Sequence, residues 1–359
     1  NCQIQIISGG EQIRCALVAE IERQLNLPFD HTQAFNPFRF LIAVAGNSFF
    51  LGVVYFHPVA DAESVVWLLK DIATCYCAGT ADGLKGGFDL YPDSRAHLLL
   101  RHPAAVARKI QSLPVQAQNL QCSCRARFQD ADNMTNGFDC FSLQSDELYL
   151  MLAAAKRWSV TVNDLLLAIL LKSVSPFSAE RTRARKRRMI SLGCVANQRN
   201  DLGLEGRRVF SVFLGSFTVT HAVPDGISLQ QLAQDVAAQT TRIKRHKLHL
   251  ASQLELELAR IAFGLFSLDR RKKSYAKFYP LWGGITNMNL NRLWDQSGDN
   301  APMDYLRGVS TGPVTPLALS ITTVGQIMNL GLSYRTTTFS REDIANLQSR
   351  FRDLLKETQ

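Results

Sequence analysis

The chain has 359 residues, 46% hydrophobic and 20% charged, with a formal net charge of +9. This composition excludes a disordered or low-complexity chain, and the length exceeds what one core ordinarily supports, so two lobes are expected. No run of about 18 apolar residues occurs, so no transmembrane segment is expected. The start, Asn1-Cys2-Gln3, is neither a signal peptide nor an initiator methionine, which predicts that the numbering begins inside a longer chain.

Ile13, Leu17, Ile21 and Leu25 recur every fourth residue and predict an amphipathic helix over 11–25. Residues 39–45 and 48–56 read as two strands joined by the tight-turn pair Gly46-Asn47. A helix is expected from about Ala62 to Tyr76, with Val65, Val66, Leu69 and Ile72 inward. Residues 79–144, broken by Gly, Pro and Asn, read as a connecting region and lobe boundary. A helix over 146–157 follows, with Ser145 as its N-cap. The segment after Thr161 is nearly all apolar and predicts a helix buried on most sides, capped by Asn163. Residues 181–188 read as a basic loop, 189–196 and 209–219 as strands, and 228–245 and 250–267 as long helices. A hairpin is predicted for 317–323 and 327–334 around Gly325-Gln326. Ser340 and Asp343 form a capping box for a last helix with the stripe Ile344, Leu347, Phe351 and Leu354. Interleaved strands and helices with hairpins favour an α/β sandwich of two lobes over a doubly wound parallel sheet.

The positive charge is clustered at 181–188 (RTRARKRR), at Arg242, Lys244, Arg245 and Lys247, and at Arg270, Arg271, Lys272 and Lys273. Each cluster is either solvated surface or a docking face for a nucleotide phosphate, an acidic protein or a lipid headgroup. Nucleic acid is not expected, because no recognition motif or basic-aromatic interleaving is present. Of the eight cysteines, two pairs are spaced C-x-C and none C-x-x-C, so no metal site is expected. Several cysteines sit in apolar surroundings, as ordinary buried thiols do, and a chain of this length without a secretion signal is expected in a reducing cytoplasm.

The strand at 48–56 ends at His57, with Asp61 four residues on. That places a titratable imidazole on a turn, where a general base belongs. The same pair can equally lock a turn. No G-x-S-x-G elbow, P-loop, G-x-G-x-x-G or H-E-x-x-H occurs. His246 and His249, three apart on an expected helix, lack a third ligand. His31, His97, His102 and His221 have no companions that suggest chemistry.

Read in order, several segments resemble the condensation-domain and acyltransferase superfamily related to chloramphenicol acetyltransferase. FRFLIAVAGNSFFLGVVYFHPVADAES resembles the strand–turn–strand leading into that family's HHxxxDG motif. TVNDLLLAILLKSV resembles the helix opening its second half. SLGCVANQRNDLGL resembles a strand ending in an Asn-x-Arg-like element. WGGITNMNLNRLW resembles the late Ser/Thr-Asn strand, and MNLGLSYRTTTFSREDIANLQSRFRDLLKE the closing strand and helix.

The resemblance implies two chloramphenicol-acetyltransferase-like α/β sandwich lobes in a V-shaped pseudo-dimer, at 1–140 and 141–359, the first lacking its earliest elements. It implies acyl transfer from coenzyme A or an acidic phosphopantetheinyl carrier protein to a small alcohol or amine, with no tightly bound cofactor. His57 matches the catalytic histidine. Asp61 matches the aspartate that pairs with an arginine to hold the loop, with Arg199 as the candidate partner. Phe56 stands at the first histidine position, Ala62 at the glycine position, and Asn287 matches a residue near the channel. The alternative is a non-catalytic relative that binds a carrier protein or acyl ligand.

Overall fold

The computed structural model describes residues 4–8, 12–30, 35–80, 88–89, 102–204, 207–252, 261, 264, 266–267, 270, 280–298, 300–313 and 315–358. The expected helix over 250–267 lies mostly outside the described residues, as do Cys2, His31, His97 and the cluster at Arg271, Lys272 and Lys273. The first half carries β1 (Ile4–Ser8), α1 (Ile13–Leu25), β2 (Phe38–Ala45), β3 (Ser48–Tyr55) and α2 (Ala62–Ala78). Then come α3 (Pro103–Cys122), β4 (Asn136–Leu143), α4 (Ser145–Arg157) and α5 (Val162–Val174). The rest comprises β5 (Ile190–Asn197), β6 (Leu214–His221), α6 (Leu229–Arg245), β7 (Gly283–Asn289), β8 (Leu317–Val324), β9 (Ile327–Arg335) and α7 (Arg341–Lys356).

Strands β1, β2 and β3 form one sheet in that order. The β2–β3 hairpin closes at Gly46, whose φ of +57° a glycine adopts without steric cost. The second sheet has the order β4-β9-β8-β7-β5-β6. Its β4 belongs to the segment expected as a connection, and α3 is a second element there. Pro103 at the first turn of α3 and Pro114 inside it mask the helix in the sequence. The expected lobe division at 140/141 falls within β4. Strand β4 is an edge strand, and α1 covers it. Glu22 Oε2 accepts from the Phe138 N–H at 2.9 Å, and Asn26 exchanges two 2.8 Å bonds with the Asn136 backbone. The buried residues of α1 are Glu20 and Gln24, which bond to each other at 2.7 Å, while the apolar stripe is half-buried.

Helix α5 is the centre of the larger core. Leu165 through Leu171 are all fully buried, packed with β5, β8, β9 and helices α4, α6 and α7. By length and composition the stretch Val162–Thr182 could cross a membrane, yet here it is a core helix. Thr161, not Asn163, is its N-cap: its hydroxyl accepts from the Asp164 N–H, and Asp164 accepts from the Thr161 N–H at 2.9 Å. Asp164 also accepts from Thr240 on α6, which ties the helix start to its neighbour. Asn163 instead donates to Cys194 Sγ. Thr161→Ala is expected to cost about 1 kcal/mol, read as a lower urea midpoint with an unchanged slope.

Two further starts differ from expectation. Gln144 caps α4, and the Ser145 hydroxyl donates to Gln326 instead. The strand expected at 209 begins only at Leu214. The Val209 carbonyl and Phe213 N–H are engaged by the Arg199 and Asp61 side chains, which removes them from the ladder. His246 and His249 do not share a helix face. Helix α6 ends at Arg245, Lys247 adopts φ +52°, and His249 is buried against Asp201 at 3.0 Å.

A smaller core holds the site. Val65, Val66 and Leu69 of α2 pack with Ala60, Leu290, Trp294 and Val324, against half-buried Leu51, Val53 and Tyr55 of β3. The start of α2 is thereby fixed between β3 and the segment after β7.

Candidate functional site

β3 runs out at Tyr55, and Phe56 keeps one further ladder-like bond, its N–H to the Pro37 carbonyl at 2.9 Å. Pro58, with φ preset, then helps turn the chain into a single 3₁₀ turn, His57–Val59. His57 is exposed on this turn. Its Nδ1 lies 3.1 Å from the Ala60 carbonyl oxygen. A carbonyl only accepts, so Nδ1 carries the proton in the neutral ring, and Nε2 keeps its lone pair. The imidazole is thus a base held in one tautomer by its own turn. The Tyr55 ring stands edge-on to it, with centroids 5.9 Å apart. Burial pushes the Tyr55 hydroxyl up to about 12, so it is a neutral phenol at physiological pH.

Asp61 ends the turn and caps α2. Its Oδ1 accepts from the Ser64 N–H and the Ser64 hydroxyl, both at 2.8 Å. It also binds Arg199, whose Nη2 lies 2.8 Å from Oδ1 and 3.0 Å from Oδ2. Oδ2 takes a further bond from the Phe213 N–H at 3.0 Å. Asp61 and Arg199 are each 1% exposed, so this is a fully desolvated ion pair. Arg199 also donates to the Val209 carbonyl at 2.8 Å and lies over the Phe213 ring, 4.5 Å from its centroid. The pair joins positions 138 residues apart in the chain. With Ser64 bonded to both strands of the contact, it latches the histidine's turn to the loop after β5.

Around this pair lies a polar shell not singled out in the sequence. Ser64 is fully buried, Asn197 donates to Glu63 at 2.6 Å, and the Arg199 N–H donates to Asn197 Oδ1 at 2.9 Å. Burial raises the Glu63 carboxyl above its usual range, against the opposing pull of Arg199. The Asp61-x-x-Ser64 spacing was the available signal, since an aspartate N-cap bonds the backbone N–H three residues on.

The other expected positions fall as follows. Phe56 packs edge-on against Phe29 and Phe35, with centroids at 5.8 and 5.3 Å. Ala62 is the first residue of α2, and its φ is negative, so the backbone does not call for glycine there. Ala62→Gly is therefore expected to lower stability by up to about 1 kcal/mol, measured by thermal unfolding. Asn287 is exposed on β7 and is not among the residues that hydrogen-bond to His57 or Asp61. The pairing of β5 with β7 ends at Cys194–Ile285, while β7 continues along β8 to Asn289, so Asn287 lies beyond the β5 contact. Close to the Tyr55 side, Arg307 donates to Thr322 Oγ1 at 2.7 Å and to the Thr286 and Ile321 carbonyls. Burial lowers its affinity for the proton.

No family model matches the sequence, and no curated protein matches it. Solved structures do match. The first condensation domain of the calcium-dependent antibiotic synthetase, in complex with a substrate analogue, gives a TM-score of 0.67 at 14% identity, over 99% of this chain and 77% of that one. The epimerization domain from the third module of tyrocidine synthetase B gives 0.65 at 15% identity, over 99% and 79%. The X-domain from teicoplanin biosynthesis gives 0.62 at 15% identity, over 99% and 78%. The chain therefore has the condensation-domain fold, the two-lobed chloramphenicol-acetyltransferase-like arrangement implied by the resemblance.

Proposed function

We propose that the chain is an acyltransferase that moves an acyl group from a coenzyme A or phosphopantetheinyl thioester to a hydroxyl or amine, with His57 as general base. The observation that carries this reading is the exposed His57 ring, held by the Ala60 carbonyl so that Nε2 can accept a proton. In the transfer, Nε2 takes the proton of the attacking hydroxyl or amine. The acyl carbon–sulfur bond then breaks, and the imidazolium returns the proton to the leaving thiolate. No acyl-enzyme is needed. Asp61 and Arg199 act as positioning residues, because both are buried and held by fixed partners. Asn287 and the half-buried Phe56 and Ala62 are assigned to the substrate channel on the resemblance alone. The seven cysteines among the described residues are all unpaired, in keeping with a reducing compartment.

A second reading is a binding role without chemistry. It is favoured by Phe56, which fills the first histidine position and is committed to an aromatic cluster. An X-domain of the same fold is known in complex with OxyB. Thiol release from acyl-coenzyme A and from an acylated carrier protein, with a panel of alcohols and amines, separates the two. Acceptor-dependent thiol release is expected. No transfer from either donor, together with tight binding of the carrier protein, would establish the second reading instead.

A further inference from the structure

The basic segment 181–188 plays no part in the proposed transfer, and the structure places it beside a cavity of about 320 Å³. That volume lies within the ordinary range for small-molecule sites. No lining residue comes from the segments around His57. Arg125, Arg127, Arg181 and Arg187 line the cavity against a single carboxylate, Glu180. Glu180 is engaged by Arg127. Arg125 is exposed and has no acidic partner among the described residues.

Arg187 and Arg181 are oriented by neutral groups. Arg187 donates to the Ser123 carbonyl at 2.7 Å. Arg181 donates to the Val223 carbonyl at 2.7 Å and to Ser175 Oγ at 2.6 Å. These bonds fix each guanidinium without cancelling its charge. Arg181 is 4% exposed, and its Nε has no hydrogen-bond partner. The Thr338 hydroxyl on the same cavity is also buried and unpartnered. Unpaired buried donors carry a free-energy cost that ligand oxygens would offset. Burial, and after it the neighbouring Arg125, pull the Arg187 guanidinium below its ordinary range. The lining also has an apolar part: half-buried Phe177 stands edge-on to Phe339, centroids 5.3 Å apart.

We propose that this cavity binds a small organic phosphate with at least two negative charges, its anionic end among Arg125, Arg181 and Arg187 and its apolar part against Phe177. This site is independent of the acyl-transfer reading. The test is calorimetric titration of the full chain with pyrophosphate, ADP and adenosine. ADP is expected to bind more tightly than pyrophosphate, adenosine not to bind, and added salt to weaken both anions. Arg125→Glu alters an exposed residue without a partner, so it should fold normally and weaken ADP by about tenfold or more, the loss of one charge-assisted contact. Arg181→Met should abolish binding in protein that retains the wild-type circular dichroism spectrum. Failure of both anions to bind at millimolar concentration, ADP binding no tighter than pyrophosphate, or wild-type affinity in Arg125→Glu would overturn the proposal.

Discussion

Replacing His57 by alanine is expected to lower acyl transfer by about 10²–10⁴-fold, the range by which a positioned general base accelerates such a step. Stability should change by no more than about 0.5 kcal/mol, because the ring is exposed and its hydrogen bond is to the Ala60 carbonyl of its own turn. The two readouts separate chemistry from folding. His57→Asn sharpens the test. An asparagine amide can still donate to the Ala60 carbonyl and hold the turn, but it cannot take a proton at neutral pH. If the histidine only locks the turn, asparagine should restore activity. If Nε2 is the base, asparagine should be as inactive as alanine. Transfer that survives both substitutions would falsify the assignment. Initial rates of thiol release at saturating donor, with thermal midpoints measured in parallel, decide among these outcomes.

How far the sequence reveals this site depends on whether each interaction is local. The hairpin at Gly46-Asn47, the helix begun by Asp61, the buried run of α5 and the Ser340–Asp343 capping box all rest on contacts between near neighbours, and all are legible as spacing. The pairing of Asp61 with Arg199 is not legible in this way. It spans the two halves of the chain and came only from comparing the order of segments with a known family. Phe213 was invisible for the same reason, since it offers only a backbone N–H from far along the chain, whereas Ser64 stands at the local N-cap spacing from Asp61. The late start of β6 follows from that contact too, since the Val209 carbonyl and the Phe213 N–H bond to side chains rather than to a neighbouring strand. The polar docking of α1 on β4 likewise hid behind an apolar stripe that pointed to a different buried face.

The largest loss of stability is expected from breaking the Asp61–Arg199 pair on one side. Arg199→Met would leave the Asp61 carboxylate buried with neutral donors only: Ser64 through its N–H and hydroxyl, and the Phe213 N–H. Asp61→Leu would leave the Arg199 cation facing Glu63, 3.5 Å from its Nε, and the Val209 carbonyl. An uncompensated charge in such a site typically costs about 3–5 kcal/mol, a large part of the stability of a domain. Replacing both partners is a different case. Asp61→Leu with Arg199→Met removes the two charges together, while the Ser64 and Phe213 N–H groups and the Val209 carbonyl lose their side-chain partners, so part of the loss should be recovered. Urea unfolding of the two single variants and the double variant measures the coupling. Equal, additive losses would mean that the pair is not coupled and the latch does not exist. The double variant also separates stability from function. It should fold, yet the turn carrying His57 is no longer tied to the loop after β5, and a small misplacement of a catalytic group costs rate out of proportion to stability. Its kcat is therefore expected to fall by about tenfold or more at concentrations where unfolding is negligible, with KM for the donor changed less. A double variant with wild-type kcat would reduce Asp61 and Arg199 to elements of the fold, with no hold on the position of the histidine.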